Sequence, residues 1–182
     1  MKRCVNPLPD RKINEEYATS FNSKNCVTQE TELIIVGTIT PPAGKGYFYT
    51  APRNKIYGYI DEARGTNLKV LKVGLNSGAT KVDDIVKTLK EQKIAFLDVM
   101  HSAVRKQGSC ADDDISAFCL DFDTFQAVFT QRNNIKKVIC NSRLAEDCYK
   151  EIKKKLGCLP DAEYIPQRSR IPHKQKWLDA LR

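Results

Sequence analysis

The sequence predicts a single α/β domain over residues 1–182, built as a three-layer α/β/α sandwich around a four-stranded, mostly parallel sheet. Four short apolar segments have the length and the β-branched content of buried strands. Amphipathic helical patterns lie between these segments, and strands that alternate with helices form a parallel sheet with helices on both faces. The predicted strands cover residues 33–36, 94–100, 135–140 and 162–165.

The first strand and its following loop are the part of the chain around which we expect the rest to be organised. Residues 33–36 are four apolar residues in a row, three of them β-branched, which suits a strand covered on both faces. Gly37 and Pro41 end the strand. The loop over residues 38–53 is rich in glycine, proline and aromatic residues, and loops of this length usually carry function.

The remaining elements follow from periodicity and capping residues. Residues 1–30 are predicted to form an N-terminal arm with a short helix over 13–21. Residues 64–79 are interrupted by three glycines, which indicates a loop with a short helix or strand. The second strand is expected to end at residues 101–103, and the acidic run 112–114 to begin a helix. The other predicted helices cover residues 55–63, 80–92, 122–132, 142–156 and 173–181.

Charge and cysteine content indicate the class of binding partner and the cellular compartment to expect. The formal net charge is +8, from 30 Lys and Arg against 22 Asp and Glu, which favours a polyanionic partner or simply a basic surface. The seven cysteines are scattered without a CxxC pair, so we expect reduced thiols and a cytoplasmic protein. A metal or iron–sulfur site at Cys4, Cys26 and Cys110 stays open, although no ligand spacing favours it. No signal peptide or transmembrane stretch is expected.

Four polar segments are predicted to meet at one edge of the molecule. They follow the four strands, at residues 38–42, 98–102, 141–143 and 166–170. Because the carboxyl ends of parallel strands share an edge, and ligands of open α/β sheets bind there, we expect the functional site at that edge. Aromatic rings, an amide and cations at this edge would suit a flat polar ring that carries a phosphate.

Three motifs, in order along the chain, carry a resemblance to a known family. Gly37-Thr38-Ile39-Thr40-Pro41, followed by the segment 46–57, resembles the first motif of the uracil-DNA glycosylase superfamily. The mismatch-specific and hypoxanthine-type branches are the most similar. Residues 95–109 with 112–115 look like the Asp-Val, Gly-Ser and acidic-Ile segment of the hypoxanthine branch. Residues 138–145 are similar to the piece that joins the third strand to its helix.

The resemblance implies an enzyme that extrudes a deaminated base, uracil or hypoxanthine, from DNA and hydrolyses its N-glycosidic bond. It implies a monofunctional hydrolase of base-excision repair that needs neither metal nor organic cofactor, acts on damaged double-stranded DNA and works as a monomer. The resemblance implies Asn54 as a catalytic residue. We expect Thr40, which can hold a water, and Asp98, which could position water from the end of the second strand, to be catalytic as well. The implied base-binding residues are Gly37, Thr38, Tyr47, Tyr49 and Asn141. The implied DNA-backbone residues are Arg53, Gln167, Arg168, Ser169 and Arg170.

Two departures from the family pattern keep other functions open. Thr38, Ile39 and Thr40 stand where the family usually has an Asn or Asp, and the loop 165–172 carries two arginines in place of small residues. A nucleic-acid-binding protein that keeps the fold without the chemistry is therefore one alternative. An unrelated α/β enzyme acting on nucleosides or nucleotides is another.

Most of the named residues also have structural explanations. Asn54 could cap a helix, while Asp98 and Asn141 could form turns. His101 could be a hydrogen-bonded structural histidine. The arginines of the last loop could belong to a solvated basic face.

Overall fold

The computed structural model describes residues 3–5, 7–41, 46–131, 134–167 and 171–182. The strands are β1 (Arg3–Cys4), β2 (Glu15–Thr19), β3 (Leu33–Gly37), β4 (Ile94–Asp98), β5 (Met100–Lys106), β6 (Ile115–Leu120), β7 (Lys137–Cys140) and β8 (Ala162–Tyr164). The helices are α1 (Ile56–Arg64), α2 (Leu68–Ser77), α3 (Val82–Glu91), α4 (Phe122–Gln131), α5 (Arg143–Leu156) and α6 (Ile171–Leu181).

The predicted four-stranded sheet is confirmed. Its order is β4-β3-β7-β8, and every neighbouring pair is parallel. All residues of β3 and β4 are buried, and this explains why residues 33–36 and 94–97 are continuous apolar runs rather than alternating ones. The register places Gly37 opposite Asp98 and Cys140 opposite both Val36 and Tyr164, so the four carboxyl ends lie along one edge.

Helices cover both faces of this sheet, as predicted. The connection from β3 to β4 carries α1, α2 and α3, whereas the connections from β4 to β7 and from β7 to β8 run in the opposite direction across the sheet with α4 and α5. Because such crossovers are right-handed, the two groups of helices lie on opposite faces. The chain after β3 and the chain after β7 therefore leave toward opposite faces. In open α/β sheets, ligands bind at the carboxyl ends of two strands whose connections diverge in this way.

A second sheet was not predicted. Its order is β1-β6-β5-β2, with β5 antiparallel to β2 and β6, and β1 parallel to β6. The helix expected over residues 13–21 is wrong, because Glu15–Thr19 pairs along its whole length with β5. The pairing partners lie some 90 residues away in the sequence, so local periodicity could not reveal them.

The chain after the second predicted strand also differs from the prediction. The second strand ends earlier than residues 101–103, at Asp98. The N–H groups of Val99 and Met100 donate to the carbonyls of Gly37 and Thr38, and the chain then continues directly into β5. His101 therefore lies on β5 with its side chain exposed. The acidic run Asp112–Asp114 is a single 3₁₀ turn that enters β6, not the start of an α-helix.

Residues 64–79 contain a regular helix, α2, despite their glycines. Gly74 lies inside it because Thr80 folds back onto this position, where an added Cβ would meet Thr80 Oγ1 at 2.1 Å. Gly78 ends the helix in the left-handed conformation, with φ +83°. No helix among the described residues is long and apolar enough to cross a bilayer.

Candidate active site at the carboxyl edge of the sheet

Asp98 is the central polar residue of the candidate site. It is the last residue of β4 and only 1% exposed. Its Oδ2 accepts hydrogen bonds from the backbone N–H of Thr40 at 3.0 Å and from Thr40 Oγ1 at 3.2 Å. Its Oδ1 lies 3.1 Å from the position that a Cβ on Gly37 would occupy. The structure thus brings together three of the predicted site residues around the end of the first strand.

The electrostatics of this carboxyl group are unusual. Burial, with a further contribution from the nearby Asp112, raises the pKa of Asp98 to about 7, although the hydrogen bonds from Thr40 oppose the shift. The Asn22 side chain fixes the backbone here, because it donates to the Asp98 carbonyl and accepts from the Asp98 N–H, both at 2.8 Å. A carboxyl group that titrates near neutrality can exchange a proton at working pH.

Two of the predicted aromatic residues occupy different environments. Tyr49 has a positive φ of 56°, and its ring packs edge-to-face on Phe96 at 4.8 Å. Its buried hydroxyl lies 2.7 Å from a Cβ built on Gly37 and has no hydrogen-bond partner among the described residues. Tyr47 is fully buried, with its ring edge-on to Phe48. Of the two rings, Tyr49 is the one placed beside Asp98, and burial with the Asp98 charge raises the pKa of its hydroxyl.

Asn54 and Gln167 form a reciprocal amide pair. Asn54 Nδ2 donates to Gln167 Oε1 at 3.2 Å, and Gln167 Nε2 donates to Asn54 Oδ1 at 3.0 Å. Asn54 Oδ1 also accepts from the backbone N–H of Ile56 at 3.0 Å, so the predicted capping role is present, although Lys55 is the N-cap residue of α1. The pair joins the loop after β3 to the loop after β8, two of the segments that we expected to converge.

Helix α2 holds the loop that carries Asn54. Lys72 is 5% exposed, and its Nζ donates to the carbonyls of Pro52 at 3.2 Å and Asn54 at 2.8 Å. Asn76 Nδ2 donates to the Thr50 carbonyl at 3.2 Å. Burial lowers the pKa of Lys72, and its two carbonyl partners hold the ammonium group in place. Asn54 is therefore supported by a helix that the sequence did not clearly predict.

The other predicted residues are distributed along the same edge. Thr38 Oγ1 donates to Asp112 Oδ1 at 2.7 Å, which links β3 to the second sheet. Asn141 follows β7 half-buried, and its N–H donates to the Val36 carbonyl at 3.0 Å. Arg53 is exposed beside Asn54. Arg168, Ser169 and Arg170 lie outside the described residues.

Several residues of the site were not identified from the sequence. Asn22 lies in a segment that looked like an ordinary polar turn, and Lys72 is one of many lysines. Asp112 had one signal, since it lies in the acidic-Ile segment of the resemblance. No group of three or more His, Cys, Asp or Glu suited to a metal ion occurs among the described residues. Cys26 and Cys140 are buried thiols without a disulfide.

The architecture is similar to that of a solved structure. That structure is the solution NMR structure of a protein from Methanosarcina acetivorans described as a "putative Uracil DNA glycosylase", with a TM-score of 0.70 and 20% sequence identity. The similarity covers 92% of this chain and 98% of that one. No family model matches the sequence, and no curated protein matches it. At this identity the similarity shows a common fold, the uracil-DNA glycosylase-like α/β fold.

Proposed function

We propose that this chain is a DNA glycosylase that hydrolyses the N-glycosidic bond of a deaminated base, uracil or hypoxanthine, extruded from double-stranded DNA. The observation that carries the proposal is the buried carboxyl group of Asp98 at the carboxyl edge of the sheet, beside Gly37 and Tyr49 and held by Thr40. The fold shared with the Methanosarcina protein supports the same class of activity. The free cysteines and the basic net charge of this chain suit a protein that acts on DNA in the cytoplasm, where we propose that it works as a monomer.

The proposed chemistry uses Asp98 and Thr40 to position a water molecule. The ionised Asp98 accepts a proton from the water while the water oxygen attacks C1′ of the sugar. The bond between C1′ and the base nitrogen breaks, and the base leaves with the electron pair and takes up a proton. Asn54 Nδ2 would stabilise the charge that develops on the departing base, as a preorganised donor does.

The remaining predicted residues have supporting roles in the proposal. Tyr49, with a buried hydroxyl that has no described partner, would contact the base. Gly37, Thr38 and Asn141 would form the walls of the pocket that receives the extruded base. Tyr47 would pack behind these walls. The DNA backbone would be held by Arg53, Gln167, Arg168, Ser169 and Arg170.

A second candidate function is nucleic-acid binding without base excision. One observation favours it: the Asn54 side chain already has three hydrogen bonds within the chain, two with Gln167 and one from Ile56. One N–H of Asn54 Nδ2 is donated to Gln167, so only its second N–H could donate to a base while the pair is in place. If that second N–H does not reach the base, the edge of the sheet would bind DNA and leave the glycosidic bond intact.

The deciding experiment is an excision assay on duplexes containing uracil, hypoxanthine, xanthine or mismatched thymine. Strand breakage after alkali would report excision. We expect Asp98→Asn and Asn54→Ala each to lower the single-turnover rate by about 10²-fold or more, the usual size of a general-base contribution. Asn67→Ala is the matched control, because this exposed asparagine makes no capping hydrogen bond with its side chain.

The possible results separate the candidate functions. Breakage by the wild type that is lost in Asp98→Asn and kept in Asn67→Ala would support the glycosylase. Salt-dependent DNA binding without breakage on any duplex would favour the binding protein. Hydrolysis of free nucleosides without activity on DNA would contradict both and favour a nucleoside enzyme.

A further inference from the structure

A cavity of about 940 Å³ lies next to the candidate site, along α1 and the start of α2. We call it the α1–α2 cavity. One end is formed by Arg53 and Asn54, so it is continuous with the loop that carries the amide pair. Lys55, Lys69 and Lys174 also line it, and Tyr59 contributes an aromatic side chain.

The charges that line the α1–α2 cavity are unbalanced. Its two carboxylates are already engaged: Asp61 accepts from the N–H groups of Leu68 and Lys69 at the start of α2, and Glu62 pairs with Lys174 at 2.8 Å. Arg53, Lys55 and Lys69 have exposed side chains, and none of them forms an ion pair with a described carboxylate. Their positive charge is therefore available to an anion that enters from solvent.

The wall beneath these cations is rigid. Tyr59 is stacked on Trp177, with ring centroids 6.0 Å apart and an angle of 19° between the ring planes. The Tyr59 hydroxyl is buried and has no hydrogen-bond partner among the described residues. Lys72 is fixed to the carbonyls of Pro52 and Asn54. A preorganised wall lowers the entropic cost of holding a ligand against it.

We propose that the α1–α2 cavity holds phosphates of the DNA strand that continues from the extruded nucleotide. The inference rests on the proposed function, because it takes the Asn54 edge as the place where that nucleotide enters. Several cations that line one cavity suit a chain of phosphates, since counterions are released when a lysine or arginine neutralises a phosphate. The contact would set the position of the strand without reading its sequence.

The test compares two double variants that remove the same charge. Lys55→Gln with Lys69→Gln removes two cations from the cavity. Lys87→Gln with Lys154→Gln removes two exposed lysines, one from α3 and one from α5, that do not line it. Binding to an undamaged fluorescent duplex is measured by anisotropy over a series of salt concentrations, after circular dichroism has shown equal folding of both variants.

The expected result is a change in salt dependence in the cavity variant alone. Loss of two phosphate contacts should lower the magnitude of the slope of log K against log salt by about 2, and weaken binding by about tenfold to sixtyfold near 0.1 M salt. The control variant should keep the wild-type slope. An unchanged slope in the cavity variant, or an equal change in both variants, would overturn the inference.

Two further arms separate this inference from the proposed function. Because the duplex is undamaged, a reduced slope in the cavity variant supports phosphate binding in the cavity even if no base is ever excised. Excision by the cavity variant with an unchanged slope would overturn the inference and leave the glycosylase intact. Binding of deoxyadenosine monophosphate by the wild type, lost in the cavity variant while the DNA slope is unchanged, would instead show a site for a small nucleotide.

Discussion

Asp98 provides the prediction that tests the site most directly, because its protonation would affect both the stability of the chain and the proposed activity. The group has an ordinary pKa of 3.8, and in the folded chain its pKa rises to about 7. The cause is burial, assisted by the charge of Asp112, so the folded state binds a proton that the unfolded chain has already released. The substitution Asp98→Asn removes this titration and keeps a carbonyl oxygen for the two donors of Thr40.

The size and sign of the effect follow from the shift. About 3 pKa units correspond to roughly 4 kcal/mol, at about 1.4 kcal/mol per unit. Between pH 4 and pH 7 the folded state holds the extra proton, so the free energy of unfolding falls as pH rises. The stabilisation is complete below the unfolded pKa and is lost as pH rises through about 7.

The measurement is urea unfolding of wild type and Asp98→Asn at pH values from 4 to 8. Other titrating groups are common to both proteins, so the difference between the two profiles isolates Asp98. We expect wild type to lose stability relative to the variant up to about pH 7 and to change little above it. We also expect single-turnover excision by wild type to rise with pH up to about 7. A flat difference profile would show that Asp98 is ionised throughout, and the argument from its burial would be refuted.

Three further predictions concern Gly37, which lies beside this carboxyl group, and two residues that contact Asn54. Gly37→Ala should cost about 1–3 kcal/mol because its Cβ would lie 2.7 Å from the Tyr49 hydroxyl, and adding Tyr49→Phe should recover much of that loss in a double-mutant cycle. Gln167→Ala should lower the free energy of unfolding by about 1 kcal/mol, and by less when Asn54 is already alanine, since the amide pair is then absent. Lys72→Met should cost about 1–3 kcal/mol and speed hydrogen exchange in the loop before α1, because two carbonyls lose their donor.

Matched controls exist for two of these changes. Gly58→Ala, in α1, has no atom within 4 Å of the added Cβ and should stabilise the helix by about 0.5–1 kcal/mol. Lys69→Met, in α2, changes an exposed side chain and should stay within about 0.5 kcal/mol of wild type. If Gly37→Ala behaved like Gly58→Ala, the close contact with Tyr49 would be disproved. If Lys69→Met loosened the loop as much as Lys72→Met, the carbonyl contacts of Lys72 would not explain the effect.

The central sheet could be predicted because its signal is local. Residues 33–36 and 94–97 are apolar without interruption, and such a run is sufficient to predict a strand that is covered on both faces. The second sheet lacks such a signal. Strand β2, with the sequence Glu-Glu-Tyr-Ala-Thr, is mostly polar and partly exposed, and it is a strand only because β5 offers unpaired backbone groups beside it. In such segments, pairing with a distant strand overrides the local β-propensity.

The candidate site likewise contains residues that local sequence could locate and residues that it could not. Strand ends and their polar residues could be located from the sequence, so Gly37, Asp98 and Asn141 were placed at the correct edge. The residues that contact them could not be located from the sequence. Asn22 binds the backbone of Asp98 from 76 positions away, and Gln167 meets Asn54 across 113 positions. Nothing in either local sequence distinguishes these amides from ordinary surface residues.

The position of Gly37 explains how this edge of the sheet accommodates the Asp98 carboxyl group. In a parallel sheet, the residue opposite Asp98 would normally place a side chain against the carboxyl group, and the register puts Gly37 there. Without a Cβ, the Asp98 carboxyl and the Tyr49 hydroxyl approach the same strand end from two sides. The strained φ of Tyr49 is consistent with this demand, since a non-glycine residue adopts positive φ only when its surroundings fix it. Asp98 and Tyr49 are therefore brought together by the sheet and by one glycine, whereas Asn54 is held by a helix and a loop. We infer that a change in the last loop would alter Asn54 first and leave Asp98 in place.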